Sequence, residues 1–363
     1  MNKTVSNTVA KHTPDEPDIF RKKMLGWYSK HRRTLPWRAL PEQKPNPYHV
    51  WLSEIMLQQT TVQAVIPYFQ KFITKWPTVF NLAEAPNEDV MSAWAGLGYY
   101  ARARNLHKCA RTIVEEYNGV FPNDQSTLKT LSGIGDYTSA AITSIAFDKP
   151  ANVVDGNVER VMARYYAEET PTPQGKKNLK AHAQYYTENR SDHPGDYAQS
   201  LMDLGATICT PKSPVCSLCP INENCLGYKG GNPQQYPIKT SKKLRPQRYG
   251  YVYWVVDDQQ KNLLIHKRSD KGLLGGMIGL PTSEWLEDKS KCEHLSIFNK
   301  REIVKSQKHI THIFTHFSLH LDIYLITNHQ IKAPVNYRWY ALQDIKEIGF
   351  PTVFDKVRKY LLK

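Results

Sequence analysis

The stretch Cys209-Thr-Pro-Lys-Ser-Pro-Val-Cys216-Ser-Leu-Cys219-Pro-Ile-Asn-Glu-Asn-Cys225 holds four of the chain's six cysteines. Pro211, Pro214 and Pro220 bend the backbone between them, so one compact loop can turn four thiolates toward a common centre. Four thiolates suit either a cubane [4Fe–4S] cluster or a structural zinc ion. Zinc ribbons generally present two Cys-x2-Cys knuckles, and this loop has one, which favours the cluster. Cys109 and Cys292 lie far from the loop in sequence and are expected to remain unligated. Clustering of this kind is not a disulfide framework and implies a reducing compartment, the cytosol or a nucleus.

Outward from the loop, the chain divides into a helical front and a strand-rich back. From Ile19 to about Tyr228 the pattern is helical, as in Val62, Val65, Ile66, Phe69 and Ile73, which repeat at three and four residues. Prolines at 36, 41, 45, 47, 77, 86, 122 and 150 break this region into short helices. Residues 230–248 are rich in Gly, Pro, Gln, Lys and Arg with almost nothing to bury, the composition of a flexible basic linker. From Tyr249 the sequence turns β-prone. Residues 251–256 and 263–266 are strand candidates, and 313–323 alternates with Ile313, Thr315, Phe317, Leu319, Leu321 and Ile323 on one face. An amphipathic helix through Phe354, Val357 and Leu361 closes the chain.

Residues 1–18 mix charges without an apolar core and read as a disordered tail, and no window approaches a membrane span. The expected organisation is a tail at 1–18, a helical domain at 19–229 with its cysteine loop at 209–225, a linker at 230–248 and a second domain at 249–363. Lys and Arg outnumber Asp and Glu by 48 to 34, a formal charge of +14. Such an excess serves solubility as readily as a polyanionic partner, so sharper motifs must decide.

Three such motifs lie in the helical front. In Leu131-Ser132-Gly133-Ile134-Gly135-Asp136-Tyr137-Thr138 two helices flank a glycine turn, where Gly133 and Gly135 let backbone N–H groups approach a phosphate. The same turn could be a plain helix cap and connector. In Val154-Asp155-Gly156-Asn157-Val158-Glu159-Arg160, Asp155 opens a helix and suits an N-cap. In Trp51-Leu52-Ser53-Glu54-Ile55-Met56-Leu57-Gln58-Gln59-Thr60, Glu54 sits among apolar residues, where desolvation would disfavour its ionised form, a useful condition for a general acid; the alternative is a surface glutamate.

Together the cysteine loop and the glycine hairpin about seventy residues before it resemble the endonuclease III and MutY branch of helix-hairpin-helix DNA glycosylases. The Glu54 motif resembles the adenine-specific members. That resemblance implies an all-α glycosylase domain of two lobes, one from Tyr48 to about Phe147 and one joining the N-terminal segment to the cluster region, followed by an α+β Nudix-like domain. It implies a [4Fe–4S] cluster on Cys209, Cys216, Cys219 and Cys225, and a hairpin that grips DNA backbone through Gly133 and Gly135 without reading sequence. It assigns Glu54 as general acid and base, Asp155 as stabiliser of the sugar cation or transient nucleophile, and Tyr137 and Asn157 as supports. Bifunctional relatives carry a Schiff-base lysine where this chain has Tyr137, so base removal by hydrolysis without strand cleavage is implied.

Extruding a base leaves a gap, and Gln59 and Tyr99 match the wedge positions. Tyr99 lies in Gly96-Leu97-Gly98-Tyr99-Tyr100-Ala101-Arg102-Ala103-Arg104, whose aromatics and arginines suit stacking and phosphate contact. In the back half, Gly272-Leu273-Leu274-Gly275-Gly276-Met277-Ile278-Gly279-Leu280-Pro281 carries the Nudix-like resemblance. The magnesium-binding Nudix box is missing, and the nearest fragment, Arg301-Glu302-Ile303-Val304-Lys305, lacks its paired glutamates. The domain is therefore expected to recognise 8-oxoguanine without hydrolysing nucleotides. Phe314, Thr315 and His316 match the family's Phe-Ser-His lesion loop, with Thr315 departing from the family serine by one methyl. The implied partner is duplex DNA holding A:8-oxoguanine or A:G mispairs. The chain is expected to act as a monomer, cytoplasmic with the nucleoid in a bacterium or nuclear in a eukaryote.

Overall fold

The computed structural model describes residues 14–240, 244–269, 271–298, 303–327 and 334–362. Its first helices are α1 (Pro17–His31), α2 (Pro47–Leu57), α3 (Val62–Lys75), α4 (Val79–Glu84), α5 (Asn87–Trp94) and α6 (Ala101–Tyr117). There follow α7 (Gln125–Thr130), α8 (Asp136–Phe147), α9 (Gly156–Tyr165), α10 (Lys176–Tyr185), α11 (Pro194–Thr207) and α12 (Leu226–Lys229). The strands are β1 (Gln247–Val256), β2 (Asn262–Lys267), β3 (Ile278–Gly279), β4 (Val304–Ile313), β5 (Ser318–Thr327) and β6 (Tyr337–Ala341), and α13 (Thr352–Leu361) ends the fold. Contacts group the chain into two compact units, one of 1–58 with 116–241 and one of 59–115 with 242–363. The helices between Tyr48 and Phe147, expected as one lobe, are thus divided: α2, α7 and α8 belong to the first unit, α3–α5 and most of α6 to the second.

In the first unit, α1 buries Phe20, Met24, Trp27 and Tyr28, a stripe at helical spacing. That stripe joins Val158, Val161, Met162 and Tyr165 of α9 and Tyr197, Leu201 and Leu204 of α11 in one core. Helices α7 and α8 form the hairpin, with Leu128, Leu131 and Ile134 buried beneath it. Gly133 takes φ of 81°, a left-handed conformation that glycine adopts without steric cost, and Asp124 caps α7 by accepting from Thr127 N at 2.9 Å.

Two boundaries differ from expectation. Pro17 and Asp18 already belong to α1, and Asp15 is buried, accepting from the Tyr165 hydroxyl at 3.0 Å and Asn224 Nδ2 at 2.7 Å. Only residues 1–13 of the expected tail lie outside the described residues. The start of the expected linker is folded too. Pro233 and Tyr236 are buried, Tyr236 joins the core, and Thr172 N donates to Ile238 O at 2.8 Å. One aromatic side chain finding the core suffices to pin a stretch whose composition is otherwise linker-like; 241–243 lie outside the described residues.

In the second unit the sheet runs β3-β2-β1-β5-β4, with β6 also paired to β2. β1 and β5 are parallel over their whole length, Gln247 opposite Ser318 to Val256 opposite Thr327, while the other pairs are antiparallel. Val353, Phe354 and Val357 of α13 are buried. The alternating run at 313–323 is not one strand. β4 ends at Ile313, Phe314 N donates to Phe317 O at 2.9 Å, and β5 begins at Ser318, so Thr315 and His316 form the tip of a two-residue hairpin. Period-two alternation continues through a two-residue turn, which is why the pattern conceals it. Arg301 and Glu302 lie outside the described residues.

One buried charge cluster ties the loop after α1 to α11. Asp203, fully buried, accepts from Arg33 Nε at 2.7 Å and from both terminal nitrogens of Arg38 at 2.7 Å. Burial alone would raise its pKa, but hydrogen bonding and charge from Arg38 and Arg33 outweigh it and hold the carboxyl below its ordinary value. Its stabilisation is therefore present above the unfolded carboxyl's pKa of about 3.9 and is lost as pH falls through the lower folded value. Asp203→Ala should cost about 3–5 kcal/mol, read from urea denaturation, because two guanidinium groups lose their counter-charge; an unchanged midpoint would refute this account.

Candidate active site

Glu54 lies on α2, a helix capped by the Asn46 side chain and buried over most of its length. Glu54 is 4% exposed, so the surface alternative falls away. The Tyr137 hydroxyl, on the first turn of α8, donates to Glu54 Oε2 at 2.7 Å. Burial raises the Glu54 pKa to about 7, the Tyr137 hydrogen bond and Arg38 pulling it down and Asp155 pushing it up. Burial, with Glu54 and Asp155 nearby, likewise raises Tyr137 well above the ordinary tyrosine value, so its phenol stays protonated.

Asp155 caps α9, accepting from Asn157 N at 2.9 Å and Val158 N at 2.8 Å through Oδ1, and from Asn157 Nδ2 at 2.7 Å through Oδ2. Burial raises its pKa, and these donors oppose the rise. The two carboxyls therefore differ in kind: Glu54 has one donor and shares its proton near neutrality, whereas Asp155 is held by three donors at a helix N-terminus, where an anion is favoured.

Two arginines without an assigned role in the sequence reading tie this pair to the cysteine loop. Arg160 donates to Asn157 Oδ1 at 2.9 Å, Gly205 O at 2.6 Å and Cys209 O at 2.7 Å. Arg164, buried, donates to Cys209 Sγ at 3.3 Å, Thr210 O at 2.8 Å and Pro211 O at 3.0 Å. Their spacing of four on α9 was readable; their partners, some fifty residues away, were not. Cys209, Cys216, Cys219 and Cys225 line one cavity with Val161, Arg164 and Leu204. Burial pushes Cys219 up to about 12 and Cys225 up to about 11 as free thiols. Among the described residues no group of three or more His, Cys, Asp or Glu side chains is placed to hold a metal ion.

The hairpin places Gly133 and Gly135 exposed at its tip, and a Cβ on Gly135 would meet no atom within 4 Å. In the second unit, Gln59 and Tyr99 are exposed and both hold positive φ, 57° and 49°. The Tyr99 hydroxyl meets Thr315 Oγ1, which brings together two residues expected to contact the lesion strand. Arg102 supports this turn, donating through Nη2 to Leu97 O and Gly98 O at 3.3 Å and lying 5.4 Å over the Tyr99 ring. Thr315 and His316 are exposed, and Phe314 is half-buried beside Phe317.

Residues 52–186 match the HhH-GPD superfamily of base excision DNA repair proteins, and residues 252–360 match the NUDIX domain. The chain is 35% identical over 351 residues to the adenine DNA glycosylase of Buchnera aphidicola subsp. Schizaphis graminum, covering 93% of this chain and 97% of that one. It is 32% identical over 405 residues to the adenine DNA glycosylase of Homo sapiens, covering 94% of this chain and 74% of that one. A solved structure of a thermostable thymine-DNA glycosylase aligns with a TM-score of 0.52 at 28% identity, over 59% of this chain and 97% of its own. No helix among the described residues is long and apolar enough to cross a membrane. With a third of its residues shared along nearly its whole length, the chain belongs to the adenine DNA glycosylase family of HhH-GPD base excision repair proteins.

Proposed function

We propose that this protein hydrolyses the N-glycosidic bond of adenine mispaired with 8-oxoguanine, or with guanine, in duplex DNA, leaving an abasic site and an intact strand. The observation that carries the reading is the pair of unlike carboxyls: Glu54 buried with one phenol donor, Asp155 capping α9. An extruded adenine leaves readily only once N7 is protonated, and Glu54 holds a proton near neutrality for that transfer. As the C1′–N9 bond breaks, positive charge develops on the sugar, and Asp155, whose three donors favour its ionised form against the pull of burial, offsets it. Glu54, then ionised, takes a proton from the attacking water. Tyr137 fixes Glu54 through its hydrogen bond, and as a phenol it cannot form the imine that strand cleavage would need. Asn157 orients Asp155.

Gly133 and Gly135 hold the DNA backbone, while Gln59 and Tyr99 fill the space the base vacates and Phe314, Thr315 and His316 read the opposing 8-oxoguanine. The cysteine loop fits a [4Fe–4S] cluster held by Cys209, Cys216, Cys219 and Cys225. Four thiols lining one cavity supply the ligand set of a cubane cluster, and the loop's single Cys-x2-Cys knuckle departs from the paired knuckles of a zinc ribbon. Bound, the cluster orders the loop, and Arg164 donates to the Cys209 sulfur. The protein acts as a monomer in the compartment that holds the chromosome.

Single-turnover base release from a duplex with one A:8-oxoguanine pair tests the reading: strand breaks appear only after alkali, and borohydride traps no adduct. Glu54→Gln should lower that rate by at least 10²-fold; a wild-type rate would refute the assignment. Because Glu54 acts first as an acid, the rate should fall as pH rises through about 7. Tyr137→Phe removes a hydrogen bond that lowers the Glu54 pKa, so the midpoint should move upward; a downward shift contradicts the geometry. Cys219→Ser should reduce bound iron and lower the thermal midpoint together, while retained iron at four atoms per chain would count against the ligand set.

A further inference from the structure

The hairpin tip at Thr315 and His316 is exposed, and two-residue tips of this kind are held in place by whatever flanks them. Here the flanks are aromatic. The Phe314 and Phe317 rings lie 4.9 Å apart, and the Trp285 indole stacks on Phe314 at 5.9 Å and 29° and lies 6.5 Å from Phe317. His312 meets Phe314 edge-on at 4.6 Å. Two guanidiniums close the stack, Arg268 at 5.1 Å over Trp285 and Arg248 at 4.6 Å over Phe317. Aromatic stacking and cation–π contacts add to burial, so this assembly is stiff compared with a bare turn.

Trp285 comes from a different part of the chain and is itself immobilised. Its neighbour Leu286 exchanges two backbone hydrogen bonds with Tyr249 of β1, at 2.7 and 2.9 Å. Gly250 makes room for it: a Cβ there would stand 2.8 Å from Trp285 Cδ1 and 2.9 Å from Glu284 O. The indole is thus clamped to the central strand on one side and presents a face to the hairpin on the other.

We propose that Trp285 is a specificity-determining positioning residue: through Phe314 it sets where Thr315 and His316 stand, and so governs discrimination between 8-oxoguanine and guanine opposite adenine without touching either base. The inference rests on the reading of that hairpin as the lesion contact. Glu54, Tyr137 and Asp155 belong to the other unit, and none of the indole's ring contacts given above involves them.

Single-turnover excision on A:8-oxoguanine and A:G duplexes, with full-length Trp285→Leu, Trp285→Phe and Thr315→Ala proteins, tests it. Leucine keeps apolar volume and removes the planar face; phenylalanine restores a ring. Trp285→Leu should lower the 8-oxoguanine preference at least 10-fold with the A:G rate within twofold of wild type, and Trp285→Phe should recover most of it. If Thr315→Ala loses the preference and Trp285→Leu keeps it, the positioning role is overturned and the hairpin reading stands. If neither variant changes the preference, the hairpin reading fails and the positioning role falls with it. Should Trp285→Leu fold poorly, Arg268→Gln, which removes the cation over the indole and leaves the ring, must lower the preference with the A:G rate unchanged; an unchanged preference overturns the proposal.

Discussion

Helix α11 passes α9 at Gly205 so closely that a Cβ there would stand 2.5 Å from Asn157 Cβ and 3.0 Å from its Cα. That approach is possible only for glycine, and much of the first unit is arranged around it. It lets Arg160 reach the Gly205 carbonyl, and the same guanidinium then spans from Asn157 to the Cys209 carbonyl. Asn157 in turn holds Asp155. One helix thus carries a capping carboxylate at its start and two guanidiniums gripping the cysteine loop along its length. A shift of α9 against α11 would disturb both at once.

Glu54 and Asp155 respond differently to burial. Both are penalised by desolvation. What separates them is the supply of donors. Asp155 sits where a helix N-terminus leaves N–H groups unsatisfied and takes two of them, plus an amide. Glu54, in the middle of α2, is flanked by a helix whose backbone groups are already paired, and receives one phenol. The capping role of Asp155 and the role proposed for it toward a cation are not rivals, because the donors that make it a good cap also favour its ionised form.

The second unit solves a different problem, holding exposed groups still. Tyr99 stands on a turn with three residues at positive φ, Gly96, Gly98 and Tyr99, and Arg102 ties the carbonyls of that turn together. Its hydroxyl meets Thr315 on the hairpin between β4 and β5. The extra methyl of Thr315 leaves its hydroxyl free to make that contact. Arg104 also donates to the Gly275 carbonyl and Lys267 pairs with Glu88 at 3.0 Å, so helical and sheet segments of this unit are joined by polar contacts as well as packing.

Much of this could be read along the chain, because the signals are local. Cysteine spacing, the glycine hairpin, the Asp155 cap and the helix-to-sheet change in periodicity each depend on residues within a few positions of one another. Sequence periodicity also placed Glu54 on an apolar helix, though not how deep it lies. Tertiary structure decided what needed distant partners: that Arg33 and Arg38 meet Asp203, that Tyr236 anchors a linker-like stretch, and that α3–α5 group with the C-terminal sheet. It also turned an apparently continuous strand at 313–323 into a hairpin, since alternation is the same on either side of a two-residue tip. Local sequence sets which conformations and protonation states are cheap; burial and long-range pairing, which only the folded chain supplies, select among them.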